Sequence, residues 1–398
     1  MNSVTRYNIF YLWLAQTISA AGDAVYHIGL MWLILDITGS SVATGLVAMS
    51  AYIPAMFFGL YAGVLVDKHK RMSLMILANI SQAATVILIP VLIYLGHEQA
   101  LLFGVLAFVR ASFGTLFPPS LNAFIPEIVE EKHLLRVNSI ISTSQQFAWF
   151  MGPALAGIML NWISIDTLFM ADAGSFIVAI IVLRFVKKPK LEQIKPENHS
   201  TFNELVNGLR YVADHPFLGF LLVITIINNM FIMGPALVGM PILVKDVFSG
   251  GISDYALMES FMALGMLAGS LFVYLFGNRF SSGVLLLVGM VLDGLTYSMF
   301  YWVTNVHTAW IFIFLHGIGI PLITVSRTAL IQRHSPNSYH GRMFSMVHLS
   351  VVGVTAISSA LVGIIATVVE INVIFFWIGI GAALCGVIGW MHPKMRHH

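Results

Sequence analysis

The sequence has 398 residues, of which 58% are hydrophobic and only 10% are charged. Soluble domains carry about 25% charged residues, so this composition excludes a protein whose whole surface faces water. The formal net charge is +2. The basic residues of the chain are spread over many short loops, and this distribution argues against nucleic-acid binding. The single cysteine, Cys385, excludes an internal disulfide and a Cys-rich metal site, and we expect it to pack inside an apolar helix.

Apolar stretches long enough to cross a bilayer, which takes about 20 residues, recur along the whole chain. The first one is too long for the core of a signal peptide, so we expect it to remain as a helix. The pattern predicts an all-α membrane protein with twelve transmembrane helices, near 8–36, 42–66, 72–95, 100–125, 138–162, 167–186, 216–243, 255–277, 282–303, 308–331, 343–368 and 371–391.

The distribution of Lys and Arg predicts the orientation of these spans. If the N-terminus is cytoplasmic, every one of the 20 basic residues falls in an inner segment except Lys245, Arg110 and Arg327. Cytoplasmic loops are enriched in Lys and Arg, so the pattern indicates that both termini are cytoplasmic.

A polar stretch interrupts the apolar pattern after residue 186. We therefore divide the chain into an N-terminal six-helix bundle (1–186), a cytoplasmic linker (187–215) and a C-terminal six-helix bundle (216–398). Within the linker, Thr201 and Glu204 have the spacing of a capping box, and an apolar face follows them. This pattern predicts a short amphipathic helix along the inner surface of the membrane.

The two halves repeat at a fixed offset of 206 residues. Gly59 and Gly63 correspond to Gly265 and Gly269, and the same offset relates several residues of helices 4, 5, 10 and 11. One known transporter plan relates two such halves by a pseudo-two-fold axis along the membrane normal. Channels can also be built from repeats, so the repeat alone does not establish a carrier.

Three motifs resemble those of the major facilitator superfamily. They are Gly63-x-x-x-Asp67-Lys68 with Arg71 at the inner end of helix 2, Arg110-x-x-x-Gly114 in helix 4, and Gly152-Pro153-Ala-Leu-Ala-Gly157 in helix 5. The third is similar to the antiporter motif of drug exporters, with Ala156 in place of one glycine. The chain departs from the first motif at Lys70, where the family commonly has glycine.

The match covers nearly the whole chain and is strongest to the bacterial branch that holds macrolide-efflux proteins and the enterobactin exporter. This resemblance implies a monomeric transporter in the bacterial cytoplasmic (inner) membrane. It also implies proton-coupled export of a small organic molecule, such as a drug or a siderophore, without a cofactor.

The inner end of helix 2 is a predicted gate. Asp67 can accept hydrogen bonds from the N-terminus of a neighbouring helix, and Arg71 can pair with an acid such as Glu130 or Glu131. In the alternative interpretation, the basic residues of this loop only anchor the topology.

Two opposite charges are predicted at one depth of the bilayer, where ionisable groups are costly and are functional candidates by default. Asp23 lies near the middle of helix 1 and Arg110 near the middle of helix 4. The resemblance places helices 1, 4, 7 and 10 around a central cavity, so the two side chains are expected to pair and to couple proton binding to transport. His27 follows Asp23 by one helical turn and is a candidate proton relay. The alternatives are a pair with a purely structural role and a histidine in the cavity wall.

Several uncharged polar residues are predicted to line the substrate cavity. They are Asn228, Asn229, His316, Gln145 and Gln146, with His348 as a weaker candidate. Asn229 and His316 stand at the 206-residue offset from Asp23 and Arg110. For Asp172, Glu259 and Asp293, on helices expected to be peripheral, we predict structural pairing rather than contact with substrate.

The sequence also excludes some functions. It has no phosphate-binding Gly-x-x-x-x-Gly-Lys-Ser/Thr loop, no Gly-x-Ser-x-Gly elbow and no zinc-protease helix, so an ATP-driven pump and a membrane enzyme are disfavoured. Asp23 and His27 have a spacing that can start a metal site, but neither a cysteine nor a second carboxylate completes it. A lipid or lysolipid flippase, a divalent-metal exporter and a facilitative channel remain as alternatives to the exporter of a small organic molecule.

Overall fold

The computed structural model describes residues 3–129, 162–187 and 210–397, together with isolated positions between 133 and 160. Among these residues the regular structure is helical, and no β-strand is present. The predicted all-α class is therefore confirmed for this part of the chain. The predicted linker helix from Thr201 begins outside the described residues.

The helices of the described residues are numbered in chain order. Their bounds are α1 (Ser3–Thr38), α2 (Ser41–Lys68), α3 (Arg71–Tyr94), α4 (Ala100–Gly114), α5 (Phe117–Ile128), α6 (Ile165–Leu183), α7 (Pro216–Gly234), α8 (Ile252–Phe276), α9 (Ser282–Met299), α10 (Val306–His334), α11 (Asn337–Ile365), α12 (Ile371–Trp390) and α13 (Pro393–His397).

Eleven helical segments in the described part of the chain are long and apolar enough to cross a membrane. They are α1 to α12, with α4 and α5 forming the single segment Ala100–Ile128. The span predicted at 138–162 falls largely outside the described residues. The total of twelve transmembrane helices therefore stays a prediction.

Large apolar side chains occur both inside and outside this protein. Phe103 and Phe375 are fully buried, whereas Phe57, Leu101 and Val368 are largely exposed. An outer surface of this kind is suited to lipid, because apolar side chains there are not exposed to water. Apolar side chains occupy both the interior and the outer surface, and this accounts for the small number of charged residues in the sequence.

The helix predicted at 100–125 is divided into two parts. α4 ends at Gly114, Thr115 and Leu116 form a turn, and α5 begins at Phe117. Pro118 and Pro119 follow at the first positions of α5, where a missing N–H group is tolerated because those groups have no partner in the helix. The span predicted at 100–125 is therefore present as Ala100–Ile128, with a break in its helical pattern.

α7 continues beyond Gly234 through π-helical turns. One turn spans Pro235–Gly239 and another spans Leu243–Val247, with Met240–Ile242 between them. Pro235 and Pro241 lack the N–H group that the regular α-helical pattern needs, so an altered pattern is expected here. The segment Pro216–Val247 is one membrane-spanning stretch.

The described residues fall into two compact units. The N-terminal unit contains the described residues up to Lys187 except Thr38–Met49, and the C-terminal unit contains Thr38–Met49 and the described residues from Arg210 onward. In the N-terminal unit, α3 packs against α4, α5 and α6. In the C-terminal unit, α8 packs against α10, α9 packs against α10 and α12, and α7 packs against α11.

The start of α2 is held within the C-terminal unit by α11. The Ser41 hydroxyl donates a hydrogen bond of 2.9 Å to the main-chain oxygen of Gly363. A β-carbon at Gly45 would lie 3.0 Å from the Gly363 Cα atom, so the two backbones meet at a pair of glycines. The preceding turn uses Gly39 with a φ of 58°, a conformation that favours glycine.

The repeated glycines differ in their surroundings. In the C-terminal unit, β-carbons at Gly265 and Gly269 would clash with the main chain of α10 at Phe314 and Ile318. For Gly59, at the equivalent position of the first half, no atom of the described residues lies within 4 Å of a β-carbon. The sequence repeat therefore does not produce the same helix contact in both units.

Candidate functional site

Arg110 of α4 is at the centre of a buried charged cluster in the N-terminal unit. Its Nη2 atom donates hydrogen bonds to Asp23 Oδ1 of α1 and to Asp172 Oδ2 of α6, the latter over 3.2 Å. The predicted meeting of Asp23 and Arg110 is therefore present in the structure. Asp172, predicted to make a structural pair, belongs to the same cluster.

Aromatic rings surround the guanidinium group of Arg110. Its Cζ atom lies 3.7 Å from the centroid of the Tyr26 ring and 5.5 Å from that of Phe176. A cation over the face of an aromatic ring is attracted by the ring quadrupole, and the attraction is stronger where water is excluded. Tyr26 and Phe176 therefore help to hold the positive charge at a depth where it is otherwise costly.

The two carboxylates differ in exposure. The Asp172 side chain is 0% exposed, whereas the Asp23 side chain is 32% exposed. One guanidinium balances one carboxylate, so a second ionised carboxylate leaves an excess negative charge in a low-dielectric site. A proton on one of the two removes this excess. Asp23 is the better placed of the two to exchange a proton with water.

Two glycines allow α1 to lie close to its neighbours at this cluster. A β-carbon at Gly22 would collide with Ser175 and approach Asp172 Oδ1. A β-carbon at Gly152 would collide with the Ala24 side chain, directly after Asp23. The glycine of the predicted antiporter motif therefore fixes the position of the helix that carries Asp23. Pro153 and Gly157 of the same motif lie outside the described residues.

His27 lies one turn after Asp23 on α1 and is half-buried. Its ring lies 6.1 Å from that of Tyr52 on α2, in a nearly parallel arrangement, and 5.8 Å from that of Tyr26. These contacts place His27 at the edge of the Arg110 cluster. Its role as a proton relay stays a prediction.

A second buried polar cluster lies in the C-terminal unit. His316 Nδ1 of α10 is 3.0 Å from Asp293 Oδ1 of α9, and their side chains are 1% and 3% exposed. The His316 ring stacks on Tyr297 with 4.0 Å between centroids. The side-chain amide of Asn228 of α7 lies beside the Asp293 carboxylate. His316 was predicted to face the substrate cavity; in the structure its ring contacts Asp293 and Tyr297 of α9, and its contact with substrate stays a prediction.

The remaining predicted cavity residues come from both units. Asn229 is buried on α7, Gln145 is half-buried, and His348 is exposed on α11. Gln146 lies outside the described residues. Their contact with substrate stays a prediction.

The predicted gate is only partly described. Arg71, the first residue of α3, forms an ion pair with Glu127 near the end of α5. The expected partners were Glu130 or Glu131, which lie outside the described residues, so the partner in the structure differs from the prediction. Lys68 is exposed at the end of α2, and the side chain of Asp67 and the position of Gly63 against its neighbours are not described.

Sequence reasoning missed three contributors to these clusters: Asp172 as a partner of Arg110, Glu127 as a partner of Arg71, and Tyr26 beside the guanidinium. A usable signal was present for Asp172, because a carboxylate within a span is costly unless a cation is nearby. For Tyr26 no comparable signal exists in a chain that is 12% aromatic. Among the described residues, no group of three or more His, Cys, Asp or Glu side chains is arranged to hold a metal ion.

Comparison with protein families gives one match across the chain. The family described as transmembrane secretion effector matches residues 3–396. Macrolide efflux protein A of Streptococcus pyogenes is 25% identical over 351 residues, which cover 86% of this chain and 85% of that protein. Multidrug efflux pump Tap of Mycolicibacterium fortuitum is 22% identical over 407 residues, which cover 100% of this chain and 98% of that protein.

Solved structures support the fold. The nucleoside transporter NupG has a TM-score of 0.77 at 10% identity, covering 98% of this chain and 99% of that chain. An inward-facing bacterial homologue of the iron transporter ferroportin also has a TM-score of 0.77, at 14% identity and with 100% of both chains covered. At these identities the similarity concerns the fold and not the substrate.

Proposed function

The chain belongs to the transmembrane secretion effector family of major facilitator transporters, and from this membership we propose that it exports a small organic molecule in exchange for protons. The proposal on export rests on the relatives, which are efflux proteins for macrolides and for several drugs. The chain is a multi-pass membrane transporter and not an enzyme.

The observation that supports proton coupling is the sharing of one guanidinium by two carboxylates. With both carboxylates ionised, the Arg110 cluster carries a net charge of about −1; with Asp23 protonated, it is neutral. A site that binds one proton at bilayer depth, and that includes a partly exposed acid, is suited to a proton-coupled carrier.

The proposed cycle begins when Asp23 takes a proton from the outer side of the membrane. The neutral acid no longer forms an ion pair with Arg110, while Arg110 keeps its ion pair with the buried Asp172. The transporter then changes from an outward-open to an inward-open conformation, and Asp23 releases its proton to the cytoplasm. The organic substrate moves outward in the opposite half of the cycle.

The proposed architecture consists of two helical bundles joined by a cytoplasmic linker. We expect the span at 138–162 to complete twelve helices in two six-helix bundles, in a monomer with both termini in the cytoplasm. The bacterial cytoplasmic membrane is the expected location, because the proton gradient that drives antiport exists there.

Transport by the purified full chain in liposomes tests this proposal. With an acidic lumen, an antiporter inserted with its cytoplasmic side outward takes up substrate as protons leave. We expect radiolabelled erythromycin to accumulate, and we expect a protonophore to abolish the accumulation. Accumulation that is insensitive to the gradient would contradict antiport. A second outcome would identify a siderophore as the substrate. In that case the protein carries neither erythromycin nor any cationic dye of a test panel, but it takes up a catecholate siderophore.

A further inference from the structure

We propose that Asp293 and His316 form a second proton-binding site, located in the C-terminal unit and separate from the Arg110 cluster. The coupling of this site to transport rests on the proposed function, whereas its ability to bind a proton does not.

The pair is a close contact between a ring nitrogen and a carboxylate oxygen that has no hydrogen-bond partner among the described residues. His316 Nδ1 is 3.0 Å from Asp293 Oδ1, and it lies 3.4 Å from the main-chain oxygen of the same residue and 3.3 Å from Thr296 Oγ1. Both side chains are almost fully buried. A proton on either group leaves the pair with no net charge, whereas its loss leaves one negative charge inside the bilayer.

Two neighbouring groups can compensate for the loss of that proton. The side-chain amide of Asn228 lies beside Asp293 and can donate a hydrogen bond to the ionised carboxylate. The Tyr297 hydroxyl is buried and has no hydrogen-bond partner among the described residues, although its ring stacks on His316. The site therefore contains donors for its charged state.

The titratable groups around the pair come from two helices. Tyr297 belongs to α9, and Tyr255 and Glu259 of α8 lie near enough to Tyr297 to interact with it electrostatically. α7 contributes the uncharged Asn228, and α12 contributes the apolar Phe375, whose ring lies 5.2 Å from that of Tyr297. Glu259 is half-buried, whereas Asp293 and His316 are almost fully buried.

The sequence repeat adds an independent argument. His316 stands at the 206-residue offset from Arg110. At this equivalent position the first half of the chain has a permanently charged arginine, whereas the second half has a titratable histidine. Each faces a buried carboxylate of its own unit, Asp172 and Asp293 respectively. A fixed guanidinium keeps its partner ionised, whereas a histidine lets the proton content of the pair change.

Infrared difference spectroscopy on the purified full chain in liposomes tests proton binding without any substrate. A pH step should reveal the carbonyl stretch of a protonated carboxylic acid, shifted in D₂O, that disappears in Asp293→Asn and persists in the matched control Glu370→Gln. Glu370 is an exposed acid of the same unit. His316→Gln should leave the band present but no longer titrating with the wild-type profile. An Asp293→Asn spectrum that retains every carboxylic-acid band of the wild type would overturn the proposal.

A second measurement counts protons released per erythromycin molecule. We expect Asp293→Asn to lower this ratio and Glu370→Gln to leave it unchanged. If wild-type protein shows the Asp293 band but no proton-driven transport, the proposed function fails and the proton site stands. If transport is proton-driven while Asp293→Asn retains both the wild-type ratio and the wild-type spectrum, the second site is refuted and the proposed function stands.

Discussion

Asp23 and Asp172 share one hydrogen-bond donor, the Nη2 atom of Arg110. The two acids come from different helices and differ in exposure, since one is partly open and the other is fully buried. In the proposed function the two acids have separate tasks. Asp172 stabilises the buried cation, and Asp23 changes its protonation state.

Asp23→Asn should uncouple transport from protons. Asparagine keeps a hydrogen-bond acceptor for Arg110 but cannot bind and release a proton, so the cluster stays neutral. We expect erythromycin accumulation driven by a pH gradient to fall at least tenfold, while exchange of labelled for unlabelled erythromycin continues. Asp36→Asn, an exposed change on the same helix, is the control and should behave as wild type. Normal gradient-driven accumulation by Asp23→Asn would contradict the coupling role.

Asp172→Ala should destabilise the folded protein more than Asp23→Ala does. Removal of one partner of a buried ion pair costs about 3–5 kcal/mol, because the remaining charge is left without compensation. The partly exposed Asp23 can be replaced in part by water. Thermal unfolding in detergent, followed by loss of helical circular dichroism, measures the difference. Equal melting temperatures for the two variants would show that Asp172 does not stabilise Arg110.

Two replacements of Tyr26 distinguish the contribution of its ring to stability from that of its hydroxyl group. Tyr26→Phe keeps the aromatic face 3.7 Å from the guanidinium carbon, whereas Tyr26→Leu removes it. We expect a loss of about 1–2 kcal/mol in the leucine variant and little change in the phenylalanine variant. Unfolding in detergent measures both. A leucine variant as stable as the phenylalanine variant would rule out a contribution from the ring face.

Gly152→Ala should displace α1 beside Asp23, because the new methyl group occupies the position of the Ala24 side chain. We expect both stability and gradient-driven transport to fall, and we expect the double variant Ala24→Gly with Gly152→Ala to recover them. Gly174→Ala serves as the control, since no atom of the described residues lies within 4 Å of a β-carbon there. Failure of the double variant to recover would mean that the contact with Ala24 is not what limits this position.

Exchange of charge between Arg71 and Glu127 tests their ion pair. Arg71→Glu and Glu127→Arg each place two like charges together, and the double variant restores opposite charges. Both side chains are 18% exposed, so we expect a coupling free energy of about 1 kcal/mol, above that of a fully exposed pair. A double-mutant cycle on thermal stability measures it. Additive effects of the two single changes would indicate that the pair contributes nothing.

Much of the fold was predictable from the sequence, because the bilayer imposes a simple length rule on apolar segments. The spans predicted near 8–36 and 308–331 correspond to Ser3–Thr38 and Val306–His334. Their true ends extend further, since polar residues at the rim of a membrane can continue a helix without lying in lipid. The break at Thr115 and Leu116 was not predicted, although the adjacent prolines were visible in the sequence.

The pairing of side chains was only partly predictable. Asp23 and Arg110 could be matched by depth, because few ionisable residues occur in the spans and an isolated arginine there is costly. The partner of Arg71 could not be chosen from sequence, since Glu127, Glu130 and Glu131 all lie within a few residues of the end of α5. The contacts of His316 with α9 could not be predicted, because depth along a helix follows from residue count, whereas rotation about the helix axis depends on packing.

The contact between α8 and α10 has a consequence for the chemistry of the C-terminal unit. Gly265 and Gly317 touch backbone to backbone, and Gly317 directly follows His316. The contact leaves no room for a single added carbon, so any larger residue at either position would push the two helices apart. The imidazole ring that faces α9 is therefore carried by a helix whose distance from α8 depends on two residues that have no side chain beyond hydrogen.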